Sequence, residues 1–126
     1  MGMRVFKNTW FTRFAGKEGI TDGELREAVN QLEAGQADAD LGGGVYKVRF
    51  ARPGEGKSGG YRVIVFFRSE ERTFYQYAYP KSSRGNINQR ELRFYKKMAK
   101  TRFAMSDREL AAAINAGEFI EIGEVV

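Results

Sequence analysis

Residues 51–68 read Ala51-Arg-Pro-Gly-Glu-Gly-Lys-Ser-Gly-Gly-Tyr-Arg-Val-Ile-Val-Phe-Phe-Arg68. The two halves of this stretch behave differently. Pro53, Gly54, Gly56, Gly59 and Gly60 break helix and strand alike, so the first half is expected as an irregular loop. Tyr61 to Phe67 is β-branched and aromatic, and apolar on both faces, which predicts the central strand of a sheet. A glycine loop carrying Arg52, Lys57 and Ser58 therefore feeds a strand that begins with Arg62. Glycines let backbone amides and long cations approach a ligand closely, and the strand holds one cation rigidly. Such an arrangement suits a phosphate.

The elements on either side extend the sheet. Val45 to Ala51 alternates, with Tyr46, Val48 and Phe50 on one face and Lys47 and Arg49 on the other, as expected of a half-buried antiparallel strand. Thr73 to Tyr79 gives a further strand ending at Pro80. Its alternation sets Tyr75, Tyr77 and Tyr79 on one face and Phe74, Gln76 and Ala78 on the other. Lys81 to Gly85 is a loop with two more cations, Lys81 and Arg84. Upstream, Arg4 to Trp10 reads as a short first strand, with Phe6, Trp10, Phe11 and Phe14 available to a core, and Thr12 to Glu18 as one or two helical turns.

Three helix starts carry the same signature. Thr21/Glu24, Asn88/Glu91 and Ser106/Glu109 have capping spacing, and Ile20/Leu25, Ile87/Leu92 and Met105/Leu110 bracket them as hydrophobic staples. The first helix stops at Gly35. The second runs to about Phe103 with Leu92, Tyr95, Ala99 and Phe103 as its apolar stripe, and the third ends at Gly117. Leu41 to Gly44 is expected as a loop, and Phe119 to Ile122 as a short strand or extended tail. The fold class is α+β: an N-terminal helix or helices, a curved antiparallel meander of three to four strands, and C-terminal helices. The sheet is expected to be concave and basic on one face, with the helices on the other. A chain of 126 residues suits one domain, here residues 1–126, with 106–126 as an acidic helix and tail extension.

Composition removes several chemistries. The chain has no histidine and no cysteine. Ser/His and Cys/His mechanisms are out, and so are the commonest metal ligands; neither metal nor cofactor is expected. Gly56-Lys57-Ser58 invites a phosphate-loop reading, but Ala51 stands where that signature needs glycine, and strand rather than helix follows. No apolar run approaches the ~20 residues of a membrane span, and the N-terminus shows no secretory pattern. Net charge is +5, yet residues 107–126 hold one arginine against five acids, which leaves +9 on the first 106. A basic body points to a polyanionic partner.

Lys47, Arg49, Arg52, Lys57, Arg62, Arg68, Lys81 and Arg84 collect near the sheet, interleaved with Tyr61, Tyr75, Tyr77 and Tyr79. Cations neutralise phosphates and aromatic faces stack on unpaired bases. RNA cleavage needs little more, because the ribose 2′-hydroxyl is an internal nucleophile. The protein must hold it in line, take its proton and stabilise the pentavalent charge.

Gly54-Glu-Gly-Lys57-Ser-Gly-Gly-Tyr-Arg62 resembles the Gly-x-Gly-Lys-x-Gly-Gly-x-Arg signature of RelE/ParE-superfamily toxins, on the RelE-like and HigB-like side. Tyr79-Pro80-Lys81-Ser82, followed by a polar turn and the Asn88 helix, resembles that family's Tyr-x-Lys segment, and the order of elements agrees over Met3 to Phe103. The resemblance implies the toxin of a bacterial type II toxin–antitoxin pair, a cytoplasmic, ribosome-dependent mRNA endonuclease silenced by a cognate antitoxin. It implies Lys57 and Arg62 on the scissile phosphate and Lys81 as third cation and proton carrier. Arg52, Lys47, Arg49, Arg84, Ser58 and Arg68 would hold RNA, with Tyr79 stacking. Lacking histidine, the chain would have to move protons with lysine, arginine or tyrosine. A gyrase inhibitor of the ParE kind and a non-cleaving RNA-binding module remain alternatives. So do a homo-oligomer and a toxin–antitoxin heteromer, and the acidic tail is free to pack on the sheet, shield it or support a dimer.

Overall fold

A computed structural model describes residues 3–52, 56–83 and 86–123, without the side chains of Arg52 and residues 56–59. The described elements are β1 (Arg4–Asn8), α1 (Thr9–Glu18), α2 (Asp22–Glu33), β2 (Ala39–Gly42), β3 (Val45–Arg52), β4 (Gly56–Arg68), β5 (Arg72–Pro80), α3 (Gln89–Ala104), α4 (Asp107–Asn115) and β6 (Phe119–Ile122). The strands form one sheet in the order β2-β3-β4-β5-β1-β6. The meander β2 to β5 is antiparallel, β1 joins β5 in parallel, and β6 closes the other edge antiparallel to β1. The fold is α+β and consistent with the RelE-like architecture expected from the sequence.

The helix starts form as their spacing predicts. Thr21, Asn88 and Ser106 each make a complete capping box with the glutamate three residues on. One helix came without such warning. Asn8 accepts from the Phe11 N–H at 2.7 Å, so α1 begins at Thr9 and Trp10 leaves the expected strand for a helix. Asparagine is among the strongest N-caps.

Helices cover both faces of the sheet, where cover on one face was expected. Leu25, Val29 and Leu32 of α2 and Phe11 of α1 pack on Val48, Phe50, Val63, Val65 and Phe67. Tyr95 and Ala99 of α3, with Leu110 and Ala113 of α4, pack on Val45, Ile64, Phe66, Phe6 and Phe74. The reason lies in β4, whose residues 61–67 are all buried: a strand apolar on both sides must be covered on both. The acidic C-terminal segment supplies part of that cover, with Leu110 fully buried and β6 paired to β1. Of the three roles left open for it, packing on the sheet is the one observed.

Two further expectations are corrected. Residues 41–44 are not all loop, since β2 reaches Gly42 and pairs with β3. The irregular stretch is also shorter than its glycines suggest, because β4 starts at Gly56 and Arg52 pairs with Gly56. Pro53 to Glu55 lie outside the described residues. Gly60 shows why glycine is needed in this strand: a Cβ there would sit 1.9 Å from the Phe50 carbonyl oxygen. That glycine admits a close backbone approach and does not end the strand.

Candidate nucleic-acid site

Arg62 is the fixed point of the site. On β4 it stands opposite Arg49 of β3 and Tyr79 of β5. The face it shares with Ile64 and Phe66 is set by the pleat. On β5 a bulge decides the neighbours. Ile64 pairs with Tyr77 but Val65 pairs with Tyr75, so Gln76 is an extra residue and reverses the alternation beyond it. Tyr75 therefore points to the α1/α2 face, where its hydroxyl donates to the Leu25 carbonyl. Tyr77 and Tyr79 point with Arg62 to the other. The expected common face for the three tyrosines is corrected by one residue's slip. Burial alone raises the Tyr75 phenol far above its ordinary range, which removes it from proton transfer.

The guanidinium of Arg62 is buried, with the residue 7% exposed, and its Nη1 has no hydrogen-bond partner. Among the described residues it makes no ion pair. A buried cation is normally paired, because losing water is costly and only a counter-charge offsets it. Lys47, on the same face, is partly buried, and its Nζ donates to Asn86 Oδ1 at 2.8 Å. The segment leading into α3 thus reaches across to β3. Lys81 is exposed at the end of β5, and its backbone N–H donates to the Gly60 carbonyl at 3.1 Å. That bond places the start of the Lys81 loop beside the glycine-rich end of β4.

The remaining candidates divide. Arg49 is exposed, but its Nε donates to Asp38 Oδ1 at 3.0 Å, and it shares a hollow with Glu24 and Glu27 of α2. Its charge is turned toward acids at the sheet's edge. Arg68 sits at the far end of β4 beside Arg72, some six residues from Arg62, or roughly 20 Å of strand. There its guanidinium lies over the Phe103 ring at 4.7 Å, so it is not gathered with the rest. Tyr79 is 2% exposed, walled in where a stacking base would need an open ring. The backbones of Arg52, Lys57 and Ser58 lie in β3 and β4, while their side chains, and all of Arg84, fall outside the described residues. The ladder thus sets Arg62, Lys47, Tyr77 and Tyr79 on one face, and the Lys81 loop begins beside Gly60. Asn86 was not foreseen, and no pattern in the sequence marks it.

A sheet covered on both faces, with a buried arginine on its central strand that makes no ion pair among the described residues, defines a basic α+β protein. The chain matches the family model for the RelE toxin of the RelE/RelB toxin–antitoxin system over residues 3–122, and it belongs to that family. It is a toxin of a toxin–antitoxin system, and membership implies an antitoxin partner. Toxins of this family are generally endoribonucleases. The match takes in α4 and β6 as well as the meander. No curated protein matches the chain. Among the described residues no helix is long and apolar enough to cross a membrane.

Proposed function

We propose that the protein is a ribosome-dependent, metal-independent mRNA endonuclease. The observation that carries this reading is Arg62, a buried guanidinium with an unpartnered Nη1, whose missing counter-charge a scissile phosphate supplies. Lys57, whose side chain falls outside the described residues, and Lys81, whose loop begins beside Gly60, are the other cations of this reading.

In the reaction the 2′-oxygen attacks phosphorus while its proton passes to a base on the enzyme. The P–O5′ bond breaks, and the departing 5′-oxygen takes up a proton. The products are a 2′,3′-cyclic phosphate and a 5′-hydroxyl, and water opens the cycle to a 3′-phosphate. Arg62 and Lys57 stabilise the extra negative charge of the pentavalent state, and Lys81 carries a proton. Fixed donors aimed at developing charge are worth about 10²–10³ in rate each.

The test is a defined translation reaction containing the purified toxin and no antitoxin, with breaks mapped by primer extension. Cuts within the reading frame that need ribosomes support the reading. Intact transcripts, or an effect on DNA supercoiling instead, overturn it.

A further inference from the structure

Trp10, the chain's sole tryptophan, is 44% exposed on α1. It is held from two sides: its ring lies within 8° of parallel to Phe14 with centroids 5.4 Å apart, and 4.7 Å from Tyr77. Tyr77 continues to Tyr79 at 6.2 Å, and Tyr79 pairs with Arg62 in the ladder. A file of rings therefore runs from the buried arginine out to an open indole. Asn8 fixes the approach, since its Nδ2 donates to the Gln76 carbonyl at 3.0 Å, anchoring the start of α1 to the bulge in β5.

The indole's surroundings are cationic. Arg13 and Lys17 follow Trp10 at helical spacing and line the same hollow of about 350 Å³ with Phe14 and Glu18. Arg13 and Lys17 make no ion pair among the described residues, and Glu18 is already engaged by the Tyr61 hydroxyl. An indole 44% exposed, flanked by two cations that make no ion pair among the described residues, fits a base together with its phosphates better than it fits an apolar helix.

Resting on the RNA reading above, we infer that Trp10, backed by Phe14 and Tyr77, is a stacking subsite for an unpaired base of the RNA next to the cut, with Arg13 and Lys17 on its phosphates. Bound there, the base fixes the strand's register relative to Arg62.

The test titrates the full-length protein with a single-stranded 2′-O-methyl RNA oligonucleotide, which lacks the nucleophile and stays intact. Binding is read by anisotropy of the RNA and stacking by tryptophan fluorescence. The expected result is quenching of Trp10 on binding and about a tenfold loss of affinity in Trp10→Ala. Trp10→Phe, which keeps a ring, should recover most of that loss. An abasic residue at one position should cost the wild type about as much as Trp10→Ala. Arg13→Ala/Lys17→Ala should flatten the salt dependence by about 0.7 per charge removed. The inference is overturned if the full chain fails to bind the RNA, if saturating RNA leaves Trp10 fluorescence unchanged, or if every abasic oligonucleotide binds like its parent. It is also overturned if only the antitoxin covers Trp10, which would make the surface a protein contact. Ribosomal cleavage with a silent indole would sink the subsite and leave the nuclease standing; stacking without cleavage would do the reverse.

Discussion

Arg62→Met separates a residue kept for a ligand from one kept for the fold. Methionine retains most of the stem and removes the guanidinium. If the charge is buried without a partner, as its 7% exposure and bare Nη1 indicate, its removal relieves a desolvation penalty. One buried unsatisfied donor costs about 1–3 kcal/mol. For a chain of 126 residues that corresponds to a rise in the thermal midpoint of roughly 4–12 °C, at about 4 °C per kcal/mol. Cleavage on the ribosome should fall by about 10²–10³ in the same variant. The assays are a calorimetric melt of the free toxin and a single-turnover cleavage rate. A fall in midpoint would show that Arg62 is a structural cation with partners, and the reasoning from its missing counter-charge would fail. A more stable variant that still cuts at the wild-type rate would place the chemistry elsewhere.

Other perturbations test the frame that holds this residue. Gly60→Ala puts a methyl 1.9 Å from the Phe50 carbonyl oxygen; denaturant melts should show a loss of about 3 kcal/mol as β3 and β4 are forced apart. Glu33 accepts from Ser69 Oγ and from the Glu70 N–H at 2.9 Å, and Glu70 sits at φ 61°. Glu33→Ala should therefore cost about 1 kcal/mol in the same assay and speed amide exchange at the β4–β5 turn. The Glu109 carboxyl is held below its ordinary range by the Ser106 backbone N–H and then by the Ser106 hydroxyl. Its contribution is complete above about pH 4.5 and is lost as pH falls through the lower folded value. Glu109→Ala should thus flatten the acid limb of a stability–pH curve and leave its slope at neutral pH unchanged.

Local signals in the sequence were strong where one residue decides one structure. The cap pairs at Thr21, Asn88 and Ser106 set three helix starts, and the two-faced apolar run from Tyr61 to Phe67 announced a central strand. What escaped depended on partners far along the chain. Nothing near Gln76 marks a bulge, because the bulge exists only in the register between β4 and β5. Yet that slip sends Tyr75 into the α1/α2 core and turns Tyr77 and Tyr79 toward Arg62. Gly56 to Gly60 looked like a strand-breaker in isolation, yet β4 begins at Gly56, which pairs with Arg52 beyond a register shift that the sequence does not mark. For the site, charge pattern singled out Lys47 and Arg62, which the ladder sets on one face, and Lys81, whose loop begins beside Gly60. It could not see that Arg49 is drawn to Asp38, or that Arg68 lies at the opposite end of its own strand. Trp10 read as core because it is apolar; the Asn8 cap, a legible signal, would have placed it on a helix instead.

The most direct measurement replaces the ribose at a mapped cut site by 2′-deoxyribose in an otherwise unchanged message on programmed ribosomes. If cations around Arg62 act on a phosphate attacked by its own neighbouring hydroxyl, cutting stops at that nucleotide, while the unmodified message yields a 2′,3′-cyclic phosphate. Continued cutting at the deoxy position, or no cutting of either message by a correctly folded toxin, would contradict the account.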